Sequence, residues 1–582
     1  MTTADSASNA PADRAGLPFR RTAVIGLGTV GSGLVRALAA AGAHVTAVEA
    51  DATRLADART RIAGGPSAPD RITFTTGTAL PADTELVVEA VPERLALKAA
   101  VLRTAAERCG LDTVFATTTS LSVAAVGTAA GLLTRTVGLH PVGHGPDGGA
   151  IEVIPAHATE AAVVRDAERL VAALDRTAVR AVDRPGFLSG GLLMAYLNGA
   201  LALYERRYAS RDDIDGAMRL GCGLPLGPLA HLDRIGLDSA LDTLRGLYDL
   251  TGERRFLPSP VLGHMVAAGL LGMKSGRGFY RYPPGPTADA PAAGPVTAPR
   301  PVATVGVVGS GTMATGIAEV FARSGLPTTL VARTEVRAKG ALDRVAGSLD
   351  RAVRRGKVSS DDARAAQERL RGCAHIESVA GCDLVVEAVA EELPVKREVF
   401  GRLDAVCRPG AVLATTTSSL PIVECATATA RPEDVLGLHF FNPAPVMRLV
   451  EVVGTVLTAP DASATARAVC GRIGKHPVEV EDRPGFLVNA LLFPYLNDAV
   501  RLLEEHRAPA GDLDAVMTVG CGYPMGPLAL LDTIGLDVSL HIQRGLHRAS
   551  HEPSLTPARP LEDLVAAGHL GRKSGHGFHR YR

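Results

Sequence analysis

Two glycine-rich loops have the spacing that holds a dinucleotide. GLGTVGSG (Gly26, Gly28, Gly31, Gly33) and GSGTMATG (Gly309, Gly311, Ala314, Gly316) each follow an apolar run and open a helical stretch. In such a loop the first glycine makes the tight turn and the second lets the backbone approach a pyrophosphate at the helix N-terminus. The third position needs a small residue so that helix packs on strand. Glu49 lies 23 residues after Gly26, where an acid binds the ribose hydroxyls of NAD. Its counterpart is Ala332, followed by Arg333. Losing the acid removes repulsion toward a 2′-phosphate, and a guanidinium pairs with one. The first loop reads as an NAD(H) site and the second as an NADP(H) site; the alternative is that Arg333 is a solvated strand-end residue. A second constellation is His439, at the end of an apolar run, with Glu451 twelve residues later in LVEVV. Two strands joined by a loop place such side chains opposite each other, and the carboxylate orients the imidazole and stabilises its protonated form. His140 and Glu152 repeat the pair at the same spacing.

The repetition extends to the whole chain. DRPGFL occurs at Asp183 and Asp482, GCGLPLGPL at Gly221 returns as GCGYPMGPL at Gly520, and LGMKSGRGFYRY at Leu271 returns as LGRKSGHGFHRY at Leu570. The offset is 283 residues at the glycine loops, 298 at Glu89 and Glu387, and 299 from His140 and His439 onward. The 582 residues therefore divide into two copies of a two-part unit. In each copy short β-branched runs alternate with helical stretches, the βαβ pattern of a doubly wound parallel sheet. After DRPGFL the strands stop and helical periodicity takes over, in LLMAYLNGALALYER and LLFPYLNDAVRLLEE. The expected fold class is α/β plus all-α, twice over. The expected segments are a disordered tail at 1–19, a dinucleotide-binding domain at 20–182, a helical domain at 183–282, a Pro/Ala-rich linker at 283–301, a second dinucleotide-binding domain at 302–481 and a second helical domain at 482–582.

Composition excludes several classes. The 61 basic and 61 acidic side chains leave no net charge, which argues against a dedicated nucleic-acid binder. Eight cysteines without a CxxC pair suggest neither a disulfide scaffold nor a metal ribbon, so no metal is expected and a reducing cytoplasm is the simplest setting. The polar N-terminal stretch reads as a loose tail and not a signal peptide, and no apolar run is long enough to span a membrane.

The chain resembles the 3-hydroxyacyl-CoA dehydrogenase family. The resemblance rests on the glycine loop, DLVVEAVAEELPVKREVF, TTTSSL, GLHFFNPAPVMRLVEVV, DRPGFLVNALL, PMGPLALLDTIGLD and LGRKSGHGFHRY. It covers essentially all of the second copy and, more loosely, the first. It implies a Rossmann domain followed by a helical dimerisation domain. It also implies interconversion of a 3-hydroxyacyl-CoA and its 3-keto form, and the expected enzyme is of the short-chain, 3-hydroxybutyryl-CoA (acetoacetyl-CoA) type. His439 would then serve as the base with Glu451 behind it, Ser418 would touch substrate and cofactor, and Asn489 would help hold the thioester oxygen. Glu391, Lys396, Asn442 and Lys573 match family cofactor contacts, with Glu93, Lys98 and Lys274 as counterparts in the first copy. The family's helical hairpin, here about residues 337–371, contacts coenzyme A, and Ser348 and Arg355 match its contact positions. Only seven lysines occur among 61 basic residues, and four sit at duplicated positions, which favours specific ammonium roles.

The first copy departs from this pattern. Ser120, His140 and Glu152 are kept, but Asn489 becomes Gly190, Asn442 becomes Gly143 and the hairpin is truncated. The expectation is a degenerate dyad in the first copy, chemistry in the second, and an internal pseudo-dimer, with a further homo-oligomer left open. Two rival readings remain: a tailoring dehydrogenase on an acyl carrier protein thioester, and a nucleotide-binding scaffold or sensor.

Overall fold

The computed structural model describes residues 16–63, 69–77, 80–143, 149–283, 297–506 and 508–581. Each copy builds one eight-stranded sheet. In the first, the spatial order is Ile72–Thr75, His44–Val48, Arg21–Ile25, Leu86–Glu89, Val114–Thr117, Thr136–Val142, Ala150–Pro155 and Thr177–Arg180. In the second it is Leu370–Cys373, Thr328–Val331, Val305–Val308, Leu384–Glu387, Val412–Thr415, Val435–Phe440, Leu449–Gly454 and His476–Glu481. The first six strands are parallel, and the inner ones are largely buried while the edge strands Ile72–Thr75 and Leu370–Cys373 are partly exposed. The seventh runs antiparallel to the sixth, in keeping with the loop-joined strands expected around His439 and Glu451. The reason is local: a hairpin loop is too short for a crossover helix. That reversal sets His439 directly opposite Glu451, and His140 opposite Glu152.

The hairpin difference between copies is visible in the fold. The second copy has a 20-residue helix, Glu335–Arg354, followed by Ser360–Glu368. Among the described residues the first has the shorter helix Ala52–Ala63 at that place. The 1–19 tail falls mostly outside the described residues, but its Phe19 is packed into the first sheet's core. The linker lies largely outside them too. Its last residues are anchored: Arg300 bonds Asp461 (2.8 and 3.0 Å) and Asp434 (2.5 Å) of the second copy.

The helical halves meet along Ser189–Glu205 and Val488–His506, where Tyr196 and Tyr495 stack with ring centroids 5.8 Å apart. One apolar cluster runs through both halves. The contact is crossed. Helix Arg211–Cys222 of the first copy lies on strands Leu449–Gly454 and His476–Glu481 of the second, and the π turn Val516–Gly520 lies on Ala150–Pro155 of the first. The Tyr208 hydroxyl donates to the Glu481 carbonyl (3.1 Å), and Arg255 and Asp498 approach to 2.5 Å as a charge contact. Among the described residues no helix is long and apolar enough to cross a membrane.

Candidate active site

His439 ends the sixth strand of the second copy with its side chain facing Glu451. Nδ1 lies 2.6 Å from Glu451 Oε2, and Nε2 lies 3.0 Å from Ser418 Oγ. The other Glu451 oxygen accepts the backbone N–H groups of Leu487 (3.0 Å) and Val488 (2.9 Å), at the N-terminus of helix Val488–His506. These are the free donors that a helix end offers an anion. The DRPGFL motif makes that aim possible: Gly485 and Phe486 both take positive φ (76° and 49°), turning the chain so that the helix start faces the carboxylate. The non-glycine Phe486 holds this uncommon conformation with its ring 5.5 Å from His439. Phe441 lies on the imidazole at 4.7 Å. Asp482, heading the same motif, accepts from the Val423 N–H (2.8 Å) and ties the motif to the segment after Ser418. Asn489 Nδ2 reaches the Ser418 carbonyl at 3.4 Å. Ser418, His439, Glu451 and Asn489 are thus brought together, all four linked in a chain of three contacts.

Glu391 accepts from Thr417 Oγ1 (2.5 Å) and the Ser418 N–H (2.9 Å). Burial works to raise its carboxyl, but Lys396, Thr417 and Ser418 outweigh it and hold the group below the usual range. Lys396 is enclosed by carboxylates. Its ammonium is 1% exposed and engaged by Glu387 (2.9 and 3.0 Å) and Glu391 (3.4 Å). Lys98 is equally enclosed, by Glu89 and the Val91 carbonyl (3.0 Å). With these contacts both lysines set the position of carboxylates beside the glycine-loop strand. Lys573 and Lys274 form half-exposed ion pairs with Asp537 and Asp238 in the helical domains. Asn442 is exposed, next to the cis peptide to Pro443. Ser348 is half-buried and Arg355 exposed on the hairpin, neither joined to the His439 cluster by a hydrogen bond.

The glycine loops suit a dinucleotide. A Cβ on Gly28 or Gly311 would enter open space at the start of helices Thr29–Ala40 and Thr312–Arg323, where a pyrophosphate needs backbone approach. A Cβ on Gly31 would lie 1.9 Å from the Gly26 carbonyl, whereas the second loop accommodates Ala314 at that place, its Cβ 3.2 Å from where a Cβ on Gly309 would sit. Glu49 accepts from the Leu27 N–H at 3.0 Å, so its carboxylate lies against the first loop. Ala332 is buried and Arg333 exposed beside the second loop. Sequence reading missed a duplicated arginine: Arg61 donates to the Leu27 carbonyl (2.8 Å), and Arg344, 283 residues on, to Ser310. Its constant offset was the available signal. Phe441, Phe486 and Asp482 were missed because apolar walls and caps carry no chemistry by themselves, although DRPGFL repeats without change.

The first copy keeps the dyad in altered surroundings. His140 Nδ1 lies 2.7 Å from Glu152 Oε2, and Leu188 and Ser189 donate backbone N–H groups to Oε1. The Ser189 hydroxyl also donates to Oε2 at 2.8 Å, sharing the oxygen that faces His140. Val488 occupies that position in the second copy and has no such donor. The Ser120 N–H donates to Glu93 as that of Ser418 does to Glu391, but the Ser120 hydroxyl also turns to Glu93, at 3.4 Å, where that of Ser418 meets His439. The His140 side chain is 27% exposed, against 6% for His439.

The family model described as 3-hydroxyacyl-CoA dehydrogenase, NAD binding domain, matches residues 21–184 and 304–483, and the 3-hydroxyacyl-CoA dehydrogenase C-terminal domain matches 186–282 and 485–581. The chain belongs to the 3-hydroxyacyl-CoA dehydrogenase family. It is an oxidoreductase whose dinucleotide-binding and helical domains both occur twice. A 3-hydroxybutyryl-CoA dehydrogenase of Mycobacterium tuberculosis is 44% identical over 279 residues, 48% of this chain and 98% of that protein. A mitochondrial hydroxyacyl-coenzyme A dehydrogenase of Mus musculus is 41% identical over 287 residues, covering 48% and 91%. A crystal structure of a 3-hydroxybutyryl-CoA dehydrogenase from Escherichia coli K12 spans 94% of this chain and 99% of its own, with TM-score 0.65 and 23% identity, a likeness of fold across both copies.

Proposed function

We propose that the second copy interconverts short-chain 3-hydroxyacyl-CoA and 3-ketoacyl-CoA, with 3-hydroxybutyryl-CoA and acetoacetyl-CoA as the representative pair. The observation that carries this reading is the Ser418–His439–Glu451 chain with Asn489 beside it, set against a first copy where Ser120 has turned to Glu93 and Gly190 offers no side chain. A nicotinamide dinucleotide at the Gly309 loop supplies or accepts the hydride. Glu451 occupies Nδ1, which leaves Nε2 of His439 for proton transfer with the substrate's C3 oxygen. Reduction uses the protonated ring as acid, and oxidation the neutral ring as base. Ser418, within reach of Nε2, passes on or shares that hydrogen bond. Asn489 donates to the thioester oxygen, a contact of the oxyanion-hole kind. The hairpin bearing Ser348 and Arg355 takes the CoA moiety.

The absence of an acid at Ala332 and the free Arg333 favour NADP(H) in the second copy, and Glu49 favours NAD(H) in the first. The helical halves make the chain an internal pseudo-dimer, in which the linker keeps the copies at high effective concentration. The cytoplasm is its setting. Steady-state kinetics of the full chain with acetoacetyl-CoA, using NADH and NADPH in turn, tests the reading. Turnover with NADPH preferred is expected, and no turnover with either would overturn it.

A further inference from the structure

Lys475 is one of the seven lysines, has no role in the chemistry above, and lies at the start of the last strand of the second sheet, 9% exposed. Its ammonium donates to the carbonyls of Ala444 and Met447, both at 2.6 Å. Those carbonyls belong to the loop that follows His439. The loop begins with Phe441, whose ring lies on the imidazole, and carries Asn442. Further along, Ala444 and Pro445 pack against Gly316: a Cβ there would lie 3.3 Å from Ala444 Cβ and 3.2 Å from Pro445 Cδ. Gly316 is on the helix that starts at the glycine loop. The loop therefore bridges the proton-transfer residue and the dinucleotide helix, and one buried ammonium fastens it from behind. In the first copy the equivalent residue is Arg176, whose Nη1 lies 3.2 Å from where a Cβ on Gly149 would sit, in the corresponding loop. A cation at this place thus occurs in both copies.

We infer that Lys475 is a positioning residue: through Ala444 and Met447 it holds the Phe441–Met447 loop so that Asn442 meets the cofactor and Phe441 backs His439. Charge-assisted hydrogen bonds are the stronger kind, so the clamp is firmest when the amine is protonated. Burial, with Arg323 adding, lowers its pKa to about 8; Cys470 and Glu319 oppose, and Arg448 adds to the lowering. These are the groups facing it from helices Thr312–Arg323 and Pro460–Arg472 and from the loop. Because the unfolded lysine titrates near 10.4, the unfolded chain binds more protons between about pH 8 and 10. This group then makes global stability rise with pH in that window, while the clamp weakens. Loss of cofactor affinity above pH 8 without loss of urea resistance is the signature.

The inference rests on the second copy being the acting one, and the experiment separates the two. Full-length wild type, Lys475→Met and Lys475→Arg are compared in kcat and KM for NADPH, in NADPH Kd by fluorescence, and in hydrogen exchange of the segment 441–448. Lys475→Met is expected to raise KM and Kd roughly ten- to a hundredfold, with a smaller change in kcat, and to speed exchange in that segment alone. Lys475→Arg is expected to restore both at pH 7 and to abolish the wild type's rise in KM between pH 7.5 and 9. Unchanged KM and exchange in Lys475→Met, or exchange raised throughout the molecule without rescue by arginine, overturns the inference. If wild type does not turn over acetoacetyl-CoA, the functional reading fails, while Kd and exchange still decide the role of Lys475.

Discussion

The two copies share a backbone plan and differ in what faces the catalytic oxygen atoms. Both place a histidine opposite a glutamate across an antiparallel strand pair, and both aim a helix N-terminus at that glutamate. In the second copy the glutamate's outer oxygen serves the imidazole alone, and the imidazole's far nitrogen meets a serine. In the first, Ser189 takes part of that oxygen, the serine has turned away, and the ring is more open to solvent. A dyad is thus maintained by the fold's own strand register and outlasts the surroundings that give it work. On the proposed reading, an acting site differs from a relic in the third and fourth groups, and these differ by single residues.

The largest effect expected short of removing the base comes from making the second copy resemble the first. Asn489→Ala deletes the donor assigned to the thioester oxygen and should lower kcat on acetoacetyl-CoA by about 10²–10³. Gly190→Asn, the reverse change, should leave the full chain's rate within about twofold, because the first copy also lacks the hairpin. Steady-state rates of the two variants check both statements. Equal, small losses would break the comparison.

The next effect concerns the cofactor. Ala332→Asp with Arg333→Gln restores a ribose acid and removes the phosphate partner. Hydrogen bonds to charged groups contribute about 1.5–3 kcal/mol, so the ratio of kcat/KM for NADPH over NADH should fall by roughly 10- to 100-fold or more. An unchanged ratio would mean that Arg333 points into solvent and that the two loops do not differ in cofactor.

A smaller effect tests whether the first copy walls the second copy's site. A Cβ on Gly221 would lie 2.7 Å from Leu449 and 3.3 Å from Val488, at the two ends of the Glu451 environment. Burial pushes the neighbouring Cys222 thiol up to about 12, with Glu451 of the other copy adding to the shift. Gly221→Val overpacks this contact and should cost about 1–3 kcal/mol in urea unfolding, together with a several-fold loss of kcat although it lies in the first copy. Full activity with full stability would show that the contact is not transmitted to the dyad.

Much of this was legible in the sequence because duplication gave each motif a second witness. The βαβ alternation, the switch to helices after DRPGFL, the inserted hairpin and the opposition of His439 and Glu451 all follow from periodicity and spacing. Sequence did not convey the orientation of side chains that have more than one partner. Ser120 and Ser418 are the same residue in the same motif, yet one turns to Glu93 and the other to a histidine. Lys396 reads as a specific ammonium in a chain poor in lysine, but the two carboxylates that enclose it were not evident from its spacing. The crossed packing of each helical half on the other copy's sheet is a tertiary fact with no local signature.

The account's central claim is that one copy acts and the other does not. The most direct test is to remove each base separately in the full-length chain and measure kcat on acetoacetyl-CoA with NADPH. Losing a general base costs on the order of 10²–10⁴ in rate. His439→Gln should show that loss, and His140→Gln should retain most of the wild-type rate. Equal losses from the two substitutions, or a larger loss from His140→Gln, would contradict the claim.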